Sequence, residues 1–294
     1  MKLIATETIN PRTKHLGSAS AAQIVRMMQQ ADAQAVRAVK KAGPALARAI
    51  ELAARTYVSG HKIVFIGAGT SGRLGVLEAA ECVPTFSTKP SEIVGIIAGG
   101  KRAMFRAQEG AEDNATQGAK DALKIIHEGD FIIGITASGI TPYVIGALQA
   151  AKQAHAHTAL MACNPHANTT YADLFIYLPT GPEVLNGSTR LKAGSATKMA
   201  LNTLTTGAMA RAGKVYQNLM VDVRPTNQKL VARAIRLICT VTGTDEKTAR
   251  QLLTRSNHHV KTAIVMHQKQ CTRQQAQVLL KKRNGFLAEV LREK

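Results

Sequence analysis

The feature that most constrains the fold is a short apolar run that ends in a glycine-rich turn and continues into a helix, IVFIGAGTSGRLGVLEAAE over residues 63–81. Residues 62–66 predict a buried parallel strand, because the run is short, rich in β-branched and aromatic residues and bounded by glycine. Gly67, Gly69 and Gly72 then permit a tight turn in which backbone N–H groups can approach a ligand closely. A strand, a glycine turn and a helix in this order predict a ligand-binding βα unit.

Two hydroxyl side chains inside the turn indicate the kind of ligand. Thr70 and Ser71 lie at the start of the following helix, where free N–H groups and the helix dipole favour an anion. The three glycines also fit the dinucleotide pattern GxGxxG, but that fold needs an acidic residue at the end of its second strand to hold ribose. The second predicted strand, residues 93–98, ends in Gly-Gly-Lys. We therefore predict that Gly69, Thr70, Ser71 and Gly72 bind a phosphate monoester of a sugar.

Length and composition exclude several classes of protein. With 294 residues and 45% hydrophobic content, the chain can bury a full core. It contains no run of 18 apolar residues, and its first residues lack the apolar segment of a signal peptide. The cysteines are far apart and form no CxxC pair, which argues against a zinc site and a secreted disulfide scaffold: Cys82, Cys163, Cys239 and Cys271. We expect a cytoplasmic protein that does not bind a membrane.

The formal net charge of +19 raises the question of an acidic partner. Residues 211–294 carry 17 lysines and arginines against five acidic residues. Such an excess is typical of proteins that bind nucleic acid or an anionic surface, but it also fits solvated helix faces and attraction for an anionic substrate. Because the chain has no tryptophan, few aromatic residues and no nucleic-acid motif, we do not expect nucleic acid as a partner.

Apolar runs alternate with helical segments through the middle of the chain. Five short runs predict strands over residues 62–66, 93–98, 131–136, 158–163 and 174–178. Helices are expected between them, over residues 72–81, 102–109, 115–127 and 142–154. This alternation predicts an α/β fold with a doubly wound parallel five-stranded sheet.

Helical segments are also expected on both sides of the sheet. Residues 18–59 are rich in alanine, glutamine and basic residues, with Asp32 near the expected break between two helices. Later helices are predicted over residues 190–211, 227–242, 245–254, 260–268 and 273–282, with a further turn within 284–291. We predict an N-terminal helical segment (1–58), a sugar-phosphate-binding domain (59–225) and a small helical C-terminal subdomain (226–294).

A second loop repeats the composition of the first. After the strand at residues 131–136, Ala137-Ser138-Gly139 turns into a helix that opens with Thr141-Pro142, and proline is favoured at a first helical position. A serine and glycine turn alone is often only a helix cap. In open α/β sheets, however, ligands bind at the carboxyl ends of the strands. We therefore predict that Ser138, Gly139 and Thr141 share the phosphate site with the first loop.

A third polar cluster, GSTRLKAGS over residues 187–195, opens a later helix. Ser188 or Thr189 can cap that helix, and the cations of the cluster, among them Lys192, suit a carboxylate or phosphate. We predict that Ser188, Thr189 and Lys192 bind the substrate or its phosphate and that Glu183, just before the cluster, orients a sugar hydroxyl. A capped helix with surface bases explains the same residues about equally well. The adjacent pair His258-His259 lacks the spacing of metal ligands, so no metal is expected there.

Acidic residues near the loops are candidates for acid/base chemistry. Five of them follow the first two strands: Glu78, Glu81, Glu109, Glu112 and Asp113. Two carboxylates can divide general acid and general base work when their environments separate their pKa values. Each one is also compatible with a solvated helix face. The residue pattern does not choose among the five.

Longer strings of residues carry a family resemblance. The loops GAGTSGRLG (67–75) and ASG (137–139) resemble the sugar isomerase (SIS) domain. From about Thr6 to Leu291 the chain is similar to the N-acetylmuramic acid 6-phosphate etherase family, through the strings AAECVPTF (79–86), IIAGG (96–100), EGAED (109–113), TPYV (141–144), GPEVLNGSTRLKAG (181–194), GKVYQNLMVDV (213–223) and HHVKTAIVM (258–266).

The resemblance implies a specific reaction, which the spacing of the residues alone does not indicate. Members of this family remove D-lactate from N-acetylmuramate 6-phosphate and leave N-acetylglucosamine 6-phosphate, by elimination and hydration, during peptidoglycan recycling. The resemblance implies no cofactor, neither metal nor nucleotide, and a homodimer with a C-terminal three-helix fold of the ubiquitin-associated type. By position in the family motifs, Glu81 and Glu112 are the implied catalytic residues. A non-catalytic SIS-fold sugar-phosphate sensor and an aldose–ketose isomerase are the alternatives.

Two positions depart from the family pattern. The family usually has ASGRTPY, and this chain has Ile140 in place of the arginine. Near the start the family usually has TExRN, and this chain has Ile9 in place of that arginine. Both changes remove a cation from a segment associated with the site. We therefore expect the reaction type to be kept, and either the catalytic efficiency or the recognition of the lactyl carboxylate to be affected.

Overall fold

The computed structural model describes residues 5–223, 225 and 227–293, and one parallel sheet of five strands forms its centre. The strand order is β2-β1-β3-β4-β5, and every neighbouring pair is parallel. This confirms the predicted fold class. The strands differ from the predicted ones by a single residue at one or both ends: β1 Ile63–Gly67, β2 Ile93–Ile97, β3 Phe131–Ile135, β4 His157–Ala162 and β5 Leu174–Tyr177.

The sheet is apolar because its central strands are covered on both faces. All five residues of β1 and all five of β3 are buried, as expected for parallel strands between layers of helices. One face packs against two helices through a cluster that includes Val64, Ile132, Val144 and Leu148. The register pairs Gly67 at the end of β1 with Ile135 at the end of β3. The loops that follow these two strands therefore begin side by side.

Eleven α-helices are found in the described residues: α1 Ala21–Lys41, α2 Gly43–Val58, α3 Gly69–Phe86, α4 Ala115–Leu123, α5 Pro142–Gln153, α6 Lys192–Arg211, α7 Gln228–Thr242, α8 Glu246–Arg255, α9 Val260–Gln268, α10 Arg273–Lys282 and α11 Leu287–Arg292. Among the residues that the structure describes, no helix has both the length and the apolar character that a membrane crossing requires.

Two of the predicted helices are wrong in detail. The N-terminal helical segment breaks at Ala42, whereas Asp32 lies inside α1. Pro44 fits the first turn of α2, because the first N–H groups of a helix have no acceptor within the helix and the missing N–H of proline is not lost there. Residues 102–109 form only the end of a 3₁₀ turn, Gly100–Met104, and then irregular chain. Here Phe105 is 91% exposed, so the segment lacks the buried apolar face that stabilises a helix.

The described chain forms two compact units by its backbone contacts. One comprises residues up to Ala80 together with Ser91–Thr205, and the other comprises Glu81–Pro90 and the residues from Thr206 onward. The second unit has its own apolar core, which includes Val221, Ile238 and Ile264. Val221 thus packs with residues of the second unit, which the backbone contacts divide from the first at residues 205 and 206. The predicted functional domains themselves stay a prediction.

Candidate functional site

A cavity of about 580 Å³ lies in the first unit, where the loops after β1 and β3 begin. Its wall also includes two short 3₁₀ turns, Ala5–Glu7 and Ala111–Asp113. This position, beyond the carboxyl ends of two neighbouring parallel strands, is the usual ligand site of open α/β sheets. The sequence-predicted residues that line it are Gly69, Thr70, Ser71, Glu112, Asp113, Ser138, Thr141 and Thr189.

The glycines of the first loop have different roles. A Cβ at Gly72 would lie 2.6 Å from the backbone oxygen of Gly67, so this glycine allows the helix to pack closely on the strand. Gly69 has φ +53°, and the space that a Cβ would take is open. It lines the cavity together with Thr70 and Ser71. The first turn of α3 therefore presents hydroxyls and N–H groups to the cavity. Gly72 packs against the backbone of Gly67 and does not line the cavity.

The second loop holds a cluster of three hydroxyl groups. Thr136 Oγ1 lies 2.7 Å from Thr141 Oγ1 and 3.2 Å from Ser138 Oγ. Gly139 N–H donates to the same Thr136 oxygen over 3.2 Å. Gly139 has φ +76°, and a Cβ there would lie 2.3 Å from Ala167 Cβ, so its role is close packing and it does not line the cavity. The cluster fixes the hydroxyls of Ser138 and Thr141 at the cavity wall.

Only some of the candidate carboxylates lie at this cavity. Glu112 and Asp113 line it, and so does Glu7. Glu78 is buried, where its carboxylate accepts hydrogen bonds from Lys198 Nζ at 2.7 Å and Thr205 Oγ1 at 2.5 Å, which makes it a structural residue. Glu81 is exposed near the end of α3 and belongs to the second unit.

Glu183 and Lys192 are used inside the protein. Glu183 is fully buried, and its carboxylate accepts hydrogen bonds from the N–H groups of Lys192 (3.1 Å) and Ala193 (2.8 Å), at the start of α6. Lys192 is 1% exposed, and its Nζ donates to Pro182 O and Gln34 Oε1. Burial raises the pKa of Glu183 and lowers the pKa of Lys192. Both side chains thus contact groups of the protein itself, and Glu183 caps the helix. Their predicted contacts with a sugar or phosphate stay a prediction.

The capping role of Glu183 gives a stability prediction. In Glu183→Gln, one of the two acceptor oxygens becomes an NH₂ group that faces a backbone N–H in a fully buried place. A buried donor left without an acceptor costs about 1–3 kcal/mol, so we expect the free energy of unfolding in urea to fall by that amount. Glu109→Gln, at an exposed position, is the matched control and is expected to unfold like the wild type. Equal stability of the two variants would contradict the cap.

Of the other predicted residues in the segment 187–195, one lines the cavity and one does not. Thr189 lines the cavity, while Ser188 does not. Helix α6 begins at Lys192, several residues after Ser188 and Thr189, so neither of them is its cap. Sequence patterns also missed two threonines of the cavity wall, Thr6 and Thr136. Thr136 ended a predicted strand, so nothing local distinguished its hydroxyl. Thr6 begins the segment that resembles the family pattern TExRN, and that resemblance was the one signal that could have identified it.

The charge of the cavity wall is negative. Three carboxylates line it, and no lysine or arginine does so among the residues that the structure describes. Ile140, which stands at a position where the resemblance leads us to expect arginine, lines the cavity and is 47% exposed. Ile9 is 68% exposed. An anionic ligand must therefore be held here by neutral hydroxyl and N–H donors.

A second cavity of about 580 Å³ lies in the other unit, lined in part by His258, His259 and Lys261. Lys261 Nζ already binds Asp222 Oδ2 (2.8 Å), Gly213 O and Gly285 O, so its donors are used within the protein. In the described part of the chain, no three histidine, cysteine, aspartate or glutamate side chains lie close enough together to hold a metal ion. Equal volume does not decide between the cavities, but the predicted residues converge on the first.

Two family models match this chain. The N-terminal SIS domain of glucokinase regulatory protein matches residues 45–152, and the C-terminal lid domain of glucokinase regulatory protein matches residues 217–262. The first match covers β1, β3 and both loops of the cavity. It confirms that the sheet is of the SIS type.

Curated relatives match over nearly the whole chain. The N-acetylmuramic acid 6-phosphate etherase of Staphylococcus epidermidis is 47% identical over 99% of this chain and 99% of its own length. The protein of the same name from Francisella philomiragia is 48% identical over 98% of both chains. Among solved structures, a putative phosphosugar isomerase from Bacteroides fragilis is 18% identical, with a TM-score of 0.50 over 68% of this chain and 95% of that one, a likeness of fold.

Proposed function

We propose that this chain, which belongs to the N-acetylmuramic acid 6-phosphate etherase family, cleaves N-acetylmuramate 6-phosphate into N-acetylglucosamine 6-phosphate and D-lactate. The observation that carries the proposal is identity of 43–48% to proteins of that name over nearly their whole length. The chain is accordingly an enzyme, a carbon–oxygen lyase of amino-sugar metabolism. We further propose that it works in the cytoplasm as a homodimer, during the recycling of peptidoglycan.

The phosphate is proposed to bind at the two loops after β1 and β3. Gly69, Thr70 and Ser71 open α3 at the cavity, and an anion is stabilised there by the free N–H groups and the helix dipole. Ser138 and Thr141 add hydroxyl donors from the neighbouring loop. The described lining carries no lysine or arginine, so neutral donors have to hold the phosphate.

The proposed reaction uses two carboxylates in two steps. In the ring-opened sugar the C1 aldehyde makes the C2 proton acidic, and Glu112 is proposed to assist its removal. The electron pair left at C2 forms a C2=C3 double bond as the C3–O bond breaks. Glu81 is proposed to give a proton to the departing lactate oxygen and then to activate water. Water adds its hydroxyl group to C3 while a proton returns to C2, which completes N-acetylglucosamine 6-phosphate.

Purified protein provides the direct test of this function. Incubated with N-acetylmuramate 6-phosphate, it is expected to release D-lactate and N-acetylglucosamine 6-phosphate in equal amounts. Unphosphorylated N-acetylmuramate is expected to be a poor substrate, since it lacks the group that the two loops bind. Binding of the phosphorylated sugar without any lactate release would contradict the lyase and favour a sensor. Conversion of an aldose phosphate to its ketose would favour an isomerase.

Ile140 offers a prediction about the lactyl carboxylate. Because Ile140 lines a cavity that lacks basic residues in its described wall, Ile140→Arg places a cation beside an anionic substrate. A partly exposed ion pair is worth about 0–1 kcal/mol, so the KM for N-acetylmuramate 6-phosphate is expected to fall by up to about fivefold. Leu123→Arg, at an exposed position outside the cavity wall, should leave KM unchanged. A raised KM in Ile140→Arg would mean that the isoleucine packs against the sugar.

A further inference from the structure

Thr6 carries a buried hydroxyl group without a hydrogen-bond partner. Its side chain is fully buried, and its Oγ1 makes no hydrogen bond to any group in the described part of the chain. The same residue lines the cavity of the first unit. Since the great majority of buried polar side-chain atoms in native proteins have a partner, each exception calls for a specific explanation.

Hydrogen bonds hold the segment that follows Thr6 against the rest of the first unit. Thr13, seven residues later, is also buried, and its Oγ1 donates to Val184 O over 2.9 Å. Asn10 Nδ2 donates to Pro182 O at 3.5 Å, and Lys192 Nζ donates to the same oxygen at 2.6 Å. These bonds attach the N-terminal turns to the segment before α6. Thr6 therefore precedes a segment that is fixed by hydrogen bonds, while its own hydroxyl has no hydrogen-bond partner in the described part of the chain.

We infer that the Thr6 hydroxyl hydrogen-bonds the bound sugar, through a neutral polar atom such as a sugar hydroxyl or the acetamido oxygen. The inference rests on the proposed function. A neutral atom is favoured over the phosphate for two reasons. The loops after β1 and β3 already offer the phosphate several hydroxyl and N–H donors, and the next residue, Glu7, adds a carboxylate to the same wall, which repels an anion. Thr6 is therefore a substrate-binding residue that selects the sugar.

The test compares three variants by calorimetric titration with N-acetylglucosamine 6-phosphate and, separately, with inorganic phosphate. Thr6→Val keeps the shape and removes the hydroxyl, whereas Thr6→Ser keeps the hydroxyl. Thr88→Val is the matched control, because Thr88 is equally buried and unpartnered but lies outside both described cavities. We expect Thr6→Val to weaken sugar-phosphate binding by roughly 5- to 150-fold, the range for an unmade hydrogen bond. Inorganic phosphate should bind all the variants alike.

Thermal unfolding of the ligand-free protein separates this role from a structural one. Removing a buried hydroxyl that has no partner should leave the Tm of Thr6→Val equal to or above that of the wild type. A lower Tm, or unchanged sugar-phosphate binding in Thr6→Val, would overturn the inference. An equal loss for inorganic phosphate would overturn the assignment to the sugar. Failure of the wild type to bind the sugar phosphate would overturn the proposed function itself. If Thr6→Val does not fold, Thr6→Ala is measured by the same criteria.

Discussion

Replacement of Glu81 by glutamine is expected to reduce lactate release by roughly 10²–10⁴-fold, the usual contribution of a positioned general acid or base. Lactate is a poor leaving group as an alkoxide, so it needs a proton as the C3–O bond breaks. Glutamine preserves the shape of the side chain and removes its titrating proton. Because Glu81 is exposed on α3, the variant should fold normally and still bind N-acetylglucosamine 6-phosphate. The measurement is the rate of D-lactate release at saturating substrate.

The control for this prediction has to be an acidic residue without a structural task. Glu78, one turn earlier on the same helix, is unsuitable, because its buried carboxylate pairs with Lys198 and its loss leaves a charge without its partner. Glu109→Gln is the better control, since Glu109 is exposed and lies outside the cavity wall. Near-normal turnover in Glu81→Gln, with Glu109→Gln unchanged, would place the acid/base chemistry on another carboxylate.

Solvent deuterium tests the same mechanism at the substrate. If a proton leaves C2 and a solvent proton later returns there, product formed in deuterated water carries deuterium at C2. A variant such as Glu112→Gln, in which proton transfer at C2 is proposed to be impaired, should also form product more slowly. A product without deuterium at C2 would rule out elimination followed by hydration, whichever carboxylate acts. This result separates an error in the mechanism from an error in the residue.

Much of the fold follows from local pattern. The five strands are found within one residue of their predicted ends, because short β-branched runs between glycines have few other structures available. Helices with strong start signals were also predicted closely. Thr272 and Gln275 form a capping box at the start of α10, and Asp245 caps α8. Residues 102–109, in contrast, were expected to be helical but lack a buried apolar face, and only their first three residues belong to a 3₁₀ turn.

The site was predicted less completely, because function there depends on contacts between distant residues. Gly72 and Gly139 were expected to touch phosphate, yet each serves close packing, against Gly67 and Ala167. Spacing cannot distinguish a glycine that admits a ligand from one that admits a neighbouring backbone. The fold likewise brings the Glu183 carboxylate to the first N–H groups of α6. In the sequence, a buried carboxylate that caps a helix cannot be distinguished from a carboxylate exposed at the surface.

Combined loss of the Ser71 and Ser138 hydroxyls is expected to raise the KM for N-acetylmuramate 6-phosphate roughly 10²–10⁴-fold. Each serine lines the cavity on a different loop, so the double variant Ser71→Ala with Ser138→Ala removes one proposed donor to the phosphate from each side. A hydrogen bond to a charged group is worth roughly 1.5–3 kcal/mol, and about 1.4 kcal/mol changes affinity tenfold. The kcat should change less, because the phosphate lies away from the bond that breaks.

A control has to show that replacing two serines elsewhere in the chain does not by itself change KM. Ser59→Ala with Ser91→Ala, two exposed serines outside the cavity wall, is the matched double control and should leave KM unchanged.

Each single site variant is expected to show part of the effect, and the backbone N–H groups at the start of α3 should retain weak phosphate binding. Because Ser138 lies beside Thr136 and Thr141 in one hydroxyl cluster, Ser138→Ala is expected to cost less than Ser71→Ala, since a neighbouring hydroxyl can turn toward the phosphate. An unchanged KM in the double site variant would remove both loops from the phosphate site and leave the cavity without the anion that its position favours.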